Sequence, residues 1–213
     1  MKEFDTCIVN PEIETYLKEL SPVEDPVIQE METLAEQLDF PIIGSLVGKF
    51  LYQITKISKA KKIFEIGSGF GYSAYWFSKA LENEGYVFCT EISEDNHKIA
   101  LNFFKKSEYL NNIKFEVGDG LSILKQQKEK FDIILNDIDK EYYPDVIEIA
   151  AKKLSPGGLL ITDNMLWFGR VLSNDKTPST IGVKQFTEII LSRKDFITTI
   201  IPIRDGISIS LKI

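Results

Sequence analysis

The sequence predicts an α/β fold built on a mostly parallel sheet of seven strands, with an antiparallel hairpin near the C-terminal end and extra helices near the N-terminal end. Two observations predict this fold. From residue 61 onward, short apolar runs alternate with segments whose apolar residues recur at helical spacing. This alternation is typical of parallel strands joined by right-handed helical crossovers. Before residue 60, the apolar residues recur at helical spacing alone, which indicates helices without strands.

The first 60 residues are predicted to contain two amphipathic helices. Ser21-Pro22-Val23-Glu24 has the pattern of a capping box, with proline just inside the helix start. A helix is therefore predicted over residues 24–38, where apolar residues from Ile28 to Leu38 follow helical spacing. A second helix is predicted over residues 44–58 for the same reason.

The remainder of the chain is predicted to supply all seven strands. Five strands are expected at residues 62–66, 86–91, 113–117, 131–136 and 158–163. The helices between them are expected at residues 71–82, 93–107, 119–126 and 142–153. The polar segment 170–181, which contains Pro178, is expected to be a mobile loop. A further helix is expected after residue 181, followed by a hairpin of strands at Ile197–Ile203 and Gly206–Leu211.

Length and composition restrict the class of protein. A chain of 213 residues with 44% hydrophobic and 27% charged residues matches one globular α/β domain. No apolar run approaches the ~20 residues that cross a bilayer, and the N-terminal residues have no signal-peptide pattern. Cys7 and Cys89 are too few for a disulfide framework or a zinc site. A cytoplasmic location without membrane association is therefore expected.

The formal charge of −7 is unevenly distributed along the chain. Residues 1–40 contain eleven acidic residues and two lysines, whereas the remainder contains 21 acidic and 23 basic residues. Overall acidity argues against a nucleic-acid-binding protein. Because the acidity comes from the N-terminal segment, however, the overall charge does not exclude a local basic surface elsewhere on the protein.

Three polar residues follow two of the predicted strands. Asp137 comes directly after the strand at 131–136. Asp163 ends the strand at 158–163, and Asn164 follows it. The carboxyl ends of parallel strands share one edge, where ligands bind. Three hard oxygen ligands there would suit Mg²⁺, Mn²⁺ or Ca²⁺. Alternatively, these residues cap helices or form Asx turns, as Asp and Asn commonly do.

A glycine-rich turn follows the first predicted strand. Its sequence, Gly67-Ser68-Gly69-Phe70-Gly71-Tyr72-Ser73, allows a tight bend and close approach of a ligand to the backbone. The Gly-x-Gly-x-Gly spacing differs from the fingerprint of NAD-binding proteins. Glu91, twenty residues after Gly71, is placed to accept hydrogen bonds from the ribose of an adenosine cofactor. Asp119 is a candidate adenine contact and also a plausible helix N-cap.

These segments resemble a known family. The first motif, Phe64 to Ser73, resembles that of S-adenosylmethionine-dependent O-methyltransferases. Three further segments resemble the metal-dependent branch, which includes caffeoyl-CoA and catechol O-methyltransferases and bacterial relatives: Asp137-Ile138-Asp139-Lys140 with Tyr143, Asp163-Asn164-Met165-Leu166-Trp167 with Gly169, and Pro202-Ile203-Arg204-Asp205-Gly206. The resemblance implies a Rossmann-like methyltransferase fold in a single domain, with residues 1–58 as a helical cap and 59–213 as the cofactor-binding and catalytic core.

The resemblance also implies roles for individual residues. The metal ligands would be Asp137, Asp163 and Asn164, and the catalytic residues would be Lys140, as general base, and Asp137. The residues implied to bind S-adenosylmethionine are Glu65, Gly67, Gly69, Gly71, Ser73, Glu91, Asp119, Gly120 and Asp137. A divalent cation, Mg²⁺ first among the candidates, is the second implied cofactor. Two residues depart from the family pattern: Ile138 and Arg204 stand where smaller residues are common.

The sequence allows more than one identity for the acceptor of the methyl group. A vicinal diol can chelate a divalent ion, which makes one hydroxyl more acidic and fixes its approach to the methyl group. A small catechol- or caffeoyl-type acceptor is therefore expected. The resemblance also allows a hydroxylated uridine at the tRNA wobble position or a coenzyme A ester, for which the candidate phosphate contacts are Arg170, Lys176, Lys184 and Arg204. A homodimer is implied by the family, and a cofactor-binding protein without catalysis is a third hypothesis.

Overall fold

The computed structural model describes residues 5–82 and 85–213. Seven strands form one sheet: β1 Lys62–Ile66, β2 Tyr86–Glu91, β3 Ile113–Val117, β4 Phe131–Asn136, β5 Leu154–Thr162, β6 Phe196–Ile201 and β7 Ile207–Lys212. The α-helices in the described part of the chain are α1 Pro11–Leu20, α2 Pro26–Leu38, α3 Gly44–Ser58, α4 Tyr72–Ala80, α5 Glu94–Lys105, α6 Gly120–Gln126, α7 Tyr143–Lys153 and α8 Pro178–Ser192. Short 3₁₀ helices lie at Glu108–Asn112, Lys140–Tyr142 and Trp167–Leu172.

The strand order confirms the predicted fold class. The order across the sheet is β3-β2-β1-β4-β5-β7-β6. Strands β1 to β5 pair in parallel, and β7 pairs antiparallel with both β5 and β6. The order reverses between β1 and β4, so the loops after these two strands diverge and leave a crevice at the carboxyl edge of the sheet.

Two apolar cores cover the two faces of the sheet. On one face, residues from α2 to α5 pack against strand residues such as Ile63 and Leu135; on the other, residues from α6 to α8 pack against Phe64 and Ile134. Alternate residues of one strand therefore serve opposite cores, as the two-residue repeat of a strand requires. Because both faces are covered, most residues of β1 and β4 are apolar, and all but one residue in each strand is buried.

The N-terminal helices differ from the sequence prediction. Helix α1 was not predicted, because it has no buried residue and its apolar residues remain largely exposed. Helix α2 begins at Pro26, and the predicted capping box at Ser21 is wrong. The carboxylate of Asp25 accepts hydrogen bonds from the backbone N–H of Val27 and Ile28 at 3.0 and 3.3 Å. A carboxylate directly before a proline therefore caps this helix.

Two further boundaries are corrected. Strand β5 begins at Leu154, four residues before the predicted start. The expected loop 170–181 is shorter than predicted, since a 3₁₀ helix continues to Leu172 and α8 begins at Pro178. The hydroxyl of Thr177 accepts a hydrogen bond from the backbone N–H of Thr180 and caps α8. Among the described residues, no helix has the length and apolar character needed to span a membrane.

The cap of α2 should contribute measurably to stability. Asp25 also forms an ion pair with Lys79 of α4 at 2.5 Å. We expect Asp25→Ala to lower the free energy of unfolding by about 1–2 kcal/mol. Two backbone N–H groups would lose their hydrogen-bond acceptor, and Lys79 would lose its ion-pair partner. Urea denaturation measures this change. Ser21→Ala is the matched control and should change stability by less than about 0.5 kcal/mol; an equal loss in both variants would contradict the assignment of the cap.

Candidate active site

The candidate site lies where β1, β4 and β5 end at the carboxyl edge of the sheet. The parallel backbone pairing continues past the strands: Asp137 donates its N–H to the carbonyl of Ile66 at 3.0 Å, and Asp163 donates to the carbonyl of Asn136 at 3.2 Å. The first residues after the strands are thereby held at one level. A cavity of ≈680 Å³ opens above them.

The glycine-rich turn forms one wall of this cavity. Gly67 has φ 83°, and a Cβ atom there would lie 2.5 Å from the carbonyl oxygen of Asp137. Only glycine fits this close approach between the β1 and β4 loops. Gly69 donates its N–H to the carboxylate of Glu91 at 2.9 Å, and Ser93 donates its N–H to the other oxygen at 2.9 Å. Oε1 of Glu91 also accepts a hydrogen bond from the side-chain amide of Asn96 at 3.4 Å. Glu91 thus fixes the turn, and its Oε2 atom keeps a lone pair for a further donor.

Three of the predicted cofactor-binding residues lie below the turn and do not line the cavity. Glu65 is fully buried, and one of its oxygens accepts a hydrogen bond from the hydroxyl of Ser73 while the other has no hydrogen-bond partner. Burial raises the pKa of Glu65 to about 7. Gly71 packs against Ala100 and Phe104 of the neighbouring helix. These residues support the turn from beneath.

Asp119 and Gly120 line the opposite end of the cavity. Asp119 caps α6 by accepting hydrogen bonds from the backbone N–H and the hydroxyl of Ser122. These bonds lower the pKa of Asp119, the hydroxyl having the largest effect. A Cβ atom at Gly120 would lie 2.5 Å from the hydroxyl of Thr90, so the start of α6 lies close against β2. The cap and a ligand contact are compatible roles for Asp119.

Asp137, Asp163 and Asn164 meet on the floor of the cavity. Asp163 is almost completely buried, and its Oδ1 has no hydrogen-bond partner. Burial raises the pKa of Asp163 to about 7, and the nearby carboxylate of Asp137 adds to the increase. Asn164 donates its amide nitrogen to Asp205 at 3.3 Å, which leaves the amide oxygen available to the cavity.

This donor set fits a hard divalent cation. Within residues 5–82 and 85–213 no three His, Cys, Asp or Glu side chains form a metal-binding group; here the third donor is an amide oxygen. Two carboxylates and one amide oxygen are the donors that Mg²⁺, Mn²⁺ and Ca²⁺ prefer. The unpartnered Oδ1 of Asp163 is explained if a cation binds it, because a buried carboxylate oxygen without a partner is costly.

Two basic side chains face these carboxylates. The Nζ atom of Lys140 lies 3.1 Å from Oδ1 of Asp137 and also donates to the carbonyl of Ile138 at 3.2 Å. The Nη1 atom of Arg204 lies 3.5 Å from Oδ2 of Asp163. The turn that contains Lys140 contacts α8 closely, since a Cβ atom at Gly182 would lie 2.2 Å from the carbonyl oxygen of Lys140.

The loop after β5 has an unusual backbone that Asp205 stabilises. Asn164, Trp167 and Phe168 have φ values of 57°, 45° and 52°, in the left-handed region that residues other than glycine rarely adopt. The carboxylate of Asp205 accepts hydrogen bonds from the N–H of Phe168 at 2.5 Å and from the amide of Asn164. Sequence reasoning missed this role, because Asp205 is 41 residues from Asn164 and its motif read as a hairpin turn.

Two hypotheses from the sequence apply to Trp167, Phe168 and Tyr143: these aromatic residues form an apolar wall against a planar substrate, or they are ordinary core residues. Trp167 and Phe168 line the cavity, as the first hypothesis requires. Tyr143 does not line it: the ring is fully buried against Phe186, and the hydroxyl donates to the backbone carbonyl of Asp163 at 3.0 Å. Its neighbour Tyr142 lines the cavity instead.

Comparison with known proteins decides the family. The family model described as O-methyltransferase matches residues 18–213. The chain belongs to the O-methyltransferase family. A catechol O-methyltransferase from Niastella koreensis is 26% identical over 185 residues, which cover 84% of each chain. Caffeoyl-CoA O-methyltransferase 3 from Nicotiana tabacum is 27% identical over 215 residues, covering 93% of this chain and 89% of the tobacco protein.

Solved structures of O-methyltransferases share the fold. An O-methyltransferase from Bacillus cereus, crystallised in complex with SAH, is 26% identical with a TM-score of 0.87, covering 95% of this chain and 97% of that chain. A methyltransferase from Geobacter sulfurreducens is 28% identical with a TM-score of 0.84, covering 97% and 100%. The protein is therefore a methyltransferase enzyme.

The buried carboxyl group of Glu65 should make the stability of this O-methyltransferase depend on pH. Its pKa rises from 4.5 in the unfolded chain to about 7 in the folded protein. The stability it contributes is therefore fully present below pH 4.5 and is lost as the pH rises through 7. We expect Glu65→Gln to be more stable than the wild type at pH 8, by up to about 3 kcal/mol, and to lose less stability between pH 5 and pH 8.

Urea denaturation of chelator-treated, cofactor-free protein at the two pH values measures this difference. Glu116→Gln, which removes an exposed glutamate of β3, is the control and should follow the wild type. Parallel pH profiles for the wild type and Glu65→Gln would contradict the raised pKa.

Proposed function

We propose that this enzyme is a divalent-metal-dependent O-methyltransferase that methylates one hydroxyl of a small vicinal-diol aromatic of the catechol or caffeoyl type. The observation that carries the proposal is the single cavity shared by the glycine-rich turn and by the oxygen donors of Asp137, Asp163 and Asn164. A methyl donor bound at the turn and a diol held at the oxygen donors would lie side by side. The names of the catechol and caffeoyl-CoA relatives support this choice of acceptor.

The residues divide the task between two cofactors. Asp137, Asp163 and Asn164 would hold the divalent cation, Mg²⁺ first, which supplies Lewis-acid stabilisation of a deprotonated diol oxygen when bound. S-adenosylmethionine supplies the activated methyl group. Gly67, Gly69 and Glu91 would position it, with Asp119 and Gly120 at the adenine end.

Lys140 is proposed as the group that accepts the proton of the acceptor hydroxyl. Its Nζ atom lies 3.1 Å from Asp137 and within 6 Å of the ring centroids of Tyr143 and Trp167, which limits its position to the floor of the cavity. Trp167 and Phe168 would stack on a planar acceptor and exclude water, and ordering the two reactants in this way accounts for much of the rate.

The basic residues considered for RNA binding favour the small-molecule acceptor. Arg170 is buried and paired with Asp5 at 2.6 Å. Arg204 contacts Asp163, and Lys184 donates to the carbonyl of Ser173 at 2.7 Å. Three of the four candidate phosphate contacts are thus engaged within the protein, and an RNA duplex or loop needs several free cations. The wobble hydroxyuridine stays the alternative acceptor, and the homodimer and cytoplasmic location stay predictions.

Removal of the metal should abolish methyl transfer. We expect EDTA to eliminate turnover of a catechol by the wild type, and excess Mg²⁺ to restore it. Asp163→Asn should lower kcat/KM by about 100-fold or more, because it removes one charged ligand of the cation. Transfer of a labelled methyl group measures both effects, and calorimetry of S-adenosylmethionine binding controls for loss of the fold. Chelator-resistant turnover in both proteins would overturn the metal mechanism.

Glu91 should determine the affinity for the methyl donor. We expect Glu91→Gln to raise the Kd for S-adenosylmethionine by about tenfold or more, because hydrogen bonds to a charged group are lost in the site and at the N–H of Gly69. Isothermal titration calorimetry measures the Kd. Glu94→Gln, at the exposed start of α5, is the control. If both variants bind like the wild type, Glu91 does not contact the cofactor.

A further inference from the structure

Arg204 has a fixed backbone beside the proposed metal site. It occupies the turn between β6 and β7 with φ 51°, and the two residues after it are tied to the loop that bears Asn164. Asp205 accepts a hydrogen bond from the N–H of Leu166 at its backbone carbonyl, and Gly206 does the same for Met165, both at 2.9 Å. The backbone beside Arg204 is therefore tied to the loop that bears Asn164, whereas the side chain of Arg204 is about one third exposed.

The guanidinium group occupies the place of a counter-ion to Asp163. The carboxylate of Asp163 is buried, and the Nη1 atom of Arg204 is 3.5 Å from its Oδ2. A buried carboxylate without a counter-charge is strongly destabilising, so this contact stabilises the protein when no divalent cation is bound. Arg204 and Lys140 are the basic residues that line the large cavity in the described part of the chain.

The positive charge of Arg204 would repel a divalent cation bound beside Asp163. Arginine stays protonated at every accessible pH. The repulsion between the guanidinium and the divalent ion can therefore be relieved only if the side chain of Arg204 moves away from Asp163.

Arg204 also borders an adjoining cavity that several carboxylates line. This cavity of ≈510 Å³ lies between α1, α2 and the α2–α3 loop. Its other charged lining residues are Glu14, Lys18, Glu32, Glu36 and Asp39. Lys18 pairs with Glu14 at 2.7 Å, so the remaining carboxylates make this cavity acidic. The guanidinium of Arg204 can therefore turn from Asp163 into this cavity and remain beside carboxylates.

We propose that Arg204 sets the metal affinity of the enzyme by competing for Asp163: its guanidinium neutralises that carboxylate in the metal-free protein and turns towards Glu32 and Glu36 when the divalent ion binds. The inference rests on the proposed metal site. It assigns Arg204 a positioning role towards the ion rather than a role in methyl transfer itself.

Metal binding by chelator-treated protein tests the competition directly. Calorimetry with Mn²⁺ alone should give a Kd that is about tenfold or more lower for Arg204→Gln than for the wild type, because the competing charge is absent. Arg204→Lys keeps a charge and should stay closer to the wild type. Glu32→Gln, which keeps an acceptor for the hydroxyl of Tyr72, should weaken Mn²⁺ binding. Arg193→Gln, which changes a surface arginine paired with Asp195, should bind Mn²⁺ like the wild type.

The movement of the side chain has its own readout. The chain contains three arginines, so their Nε–H signals in a ¹⁵N NMR spectrum can be assigned with Arg204→Lys and Arg193→Gln. Titration with diamagnetic Mg²⁺ should shift the Arg204 signal along the binding curve and leave the Arg193 signal in place. Before metal is added, Arg204→Gln should also melt at a lower temperature than the wild type.

The outcomes separate this inference from the proposed function. If Asp163→Asn abolishes Mn²⁺ binding while Arg204→Gln binds like the wild type, the metal site stands and the competition is overturned. An Arg204 signal that does not move on Mg²⁺ binding overturns it as well. If neither the wild type nor any variant binds Mn²⁺ or Mg²⁺, the metal site itself is refuted, and the role of Arg204 with it.

Discussion

The backbone pairing of β1, β4 and β5 is the constraint on which the site depends. Ile66, Asn136 and Thr162 stand side by side in register, and the pairing continues one residue further through the N–H groups of Asp137 and Asp163. A shift of one residue in either pair would turn each side chain to the opposite face. The level of the glycine-rich turn relative to the oxygen donors is thus set by main-chain hydrogen bonds, before any side chain contributes.

Much of the fold and part of the site could be predicted from local patterns. Strand β1, strand β4 and the second half of β5 are buried on both faces, so their apolar runs are easily recognised, and the polar residues that follow them mark the carboxyl edge. Helix α1 was not predicted, because none of its residues is buried. The cap at Asp25 was not predicted, because Ser21-Pro22-Val23-Glu24 also has the pattern of a helix start. Only the backbone conformation, with α2 beginning at Pro26, shows which residue is the cap.

The parts of the site that sequence did not predict depend on contacts between distant segments. Asp205 acts on Asn164 and Phe168 across roughly 40 residues, and its short motif reads equally well as an ordinary turn. Tyr142 and Tyr143 are adjacent and chemically alike, yet only Tyr142 lines the cavity, whereas the ring of Tyr143 is buried in the core. The 3₁₀ helix Lys140–Tyr142 sets these two directions, and the sequence alone does not show them. Similarly, Glu65 and Ser73 belong to the cofactor motif but lie beneath it.

The N-terminal segment meets the strained loop beside the cavity. Thr6 donates its N–H to the carbonyl of Phe168 at 2.7 Å, and Asp5 forms an ion pair with the buried Arg170. The wall of the cavity that bears Trp167 and Phe168 is therefore held from behind by residues that do not line the cavity themselves. A substitution at Asp5 or Thr6 would act on the shape of the cavity through the backbone of this loop, without removing any side chain from it.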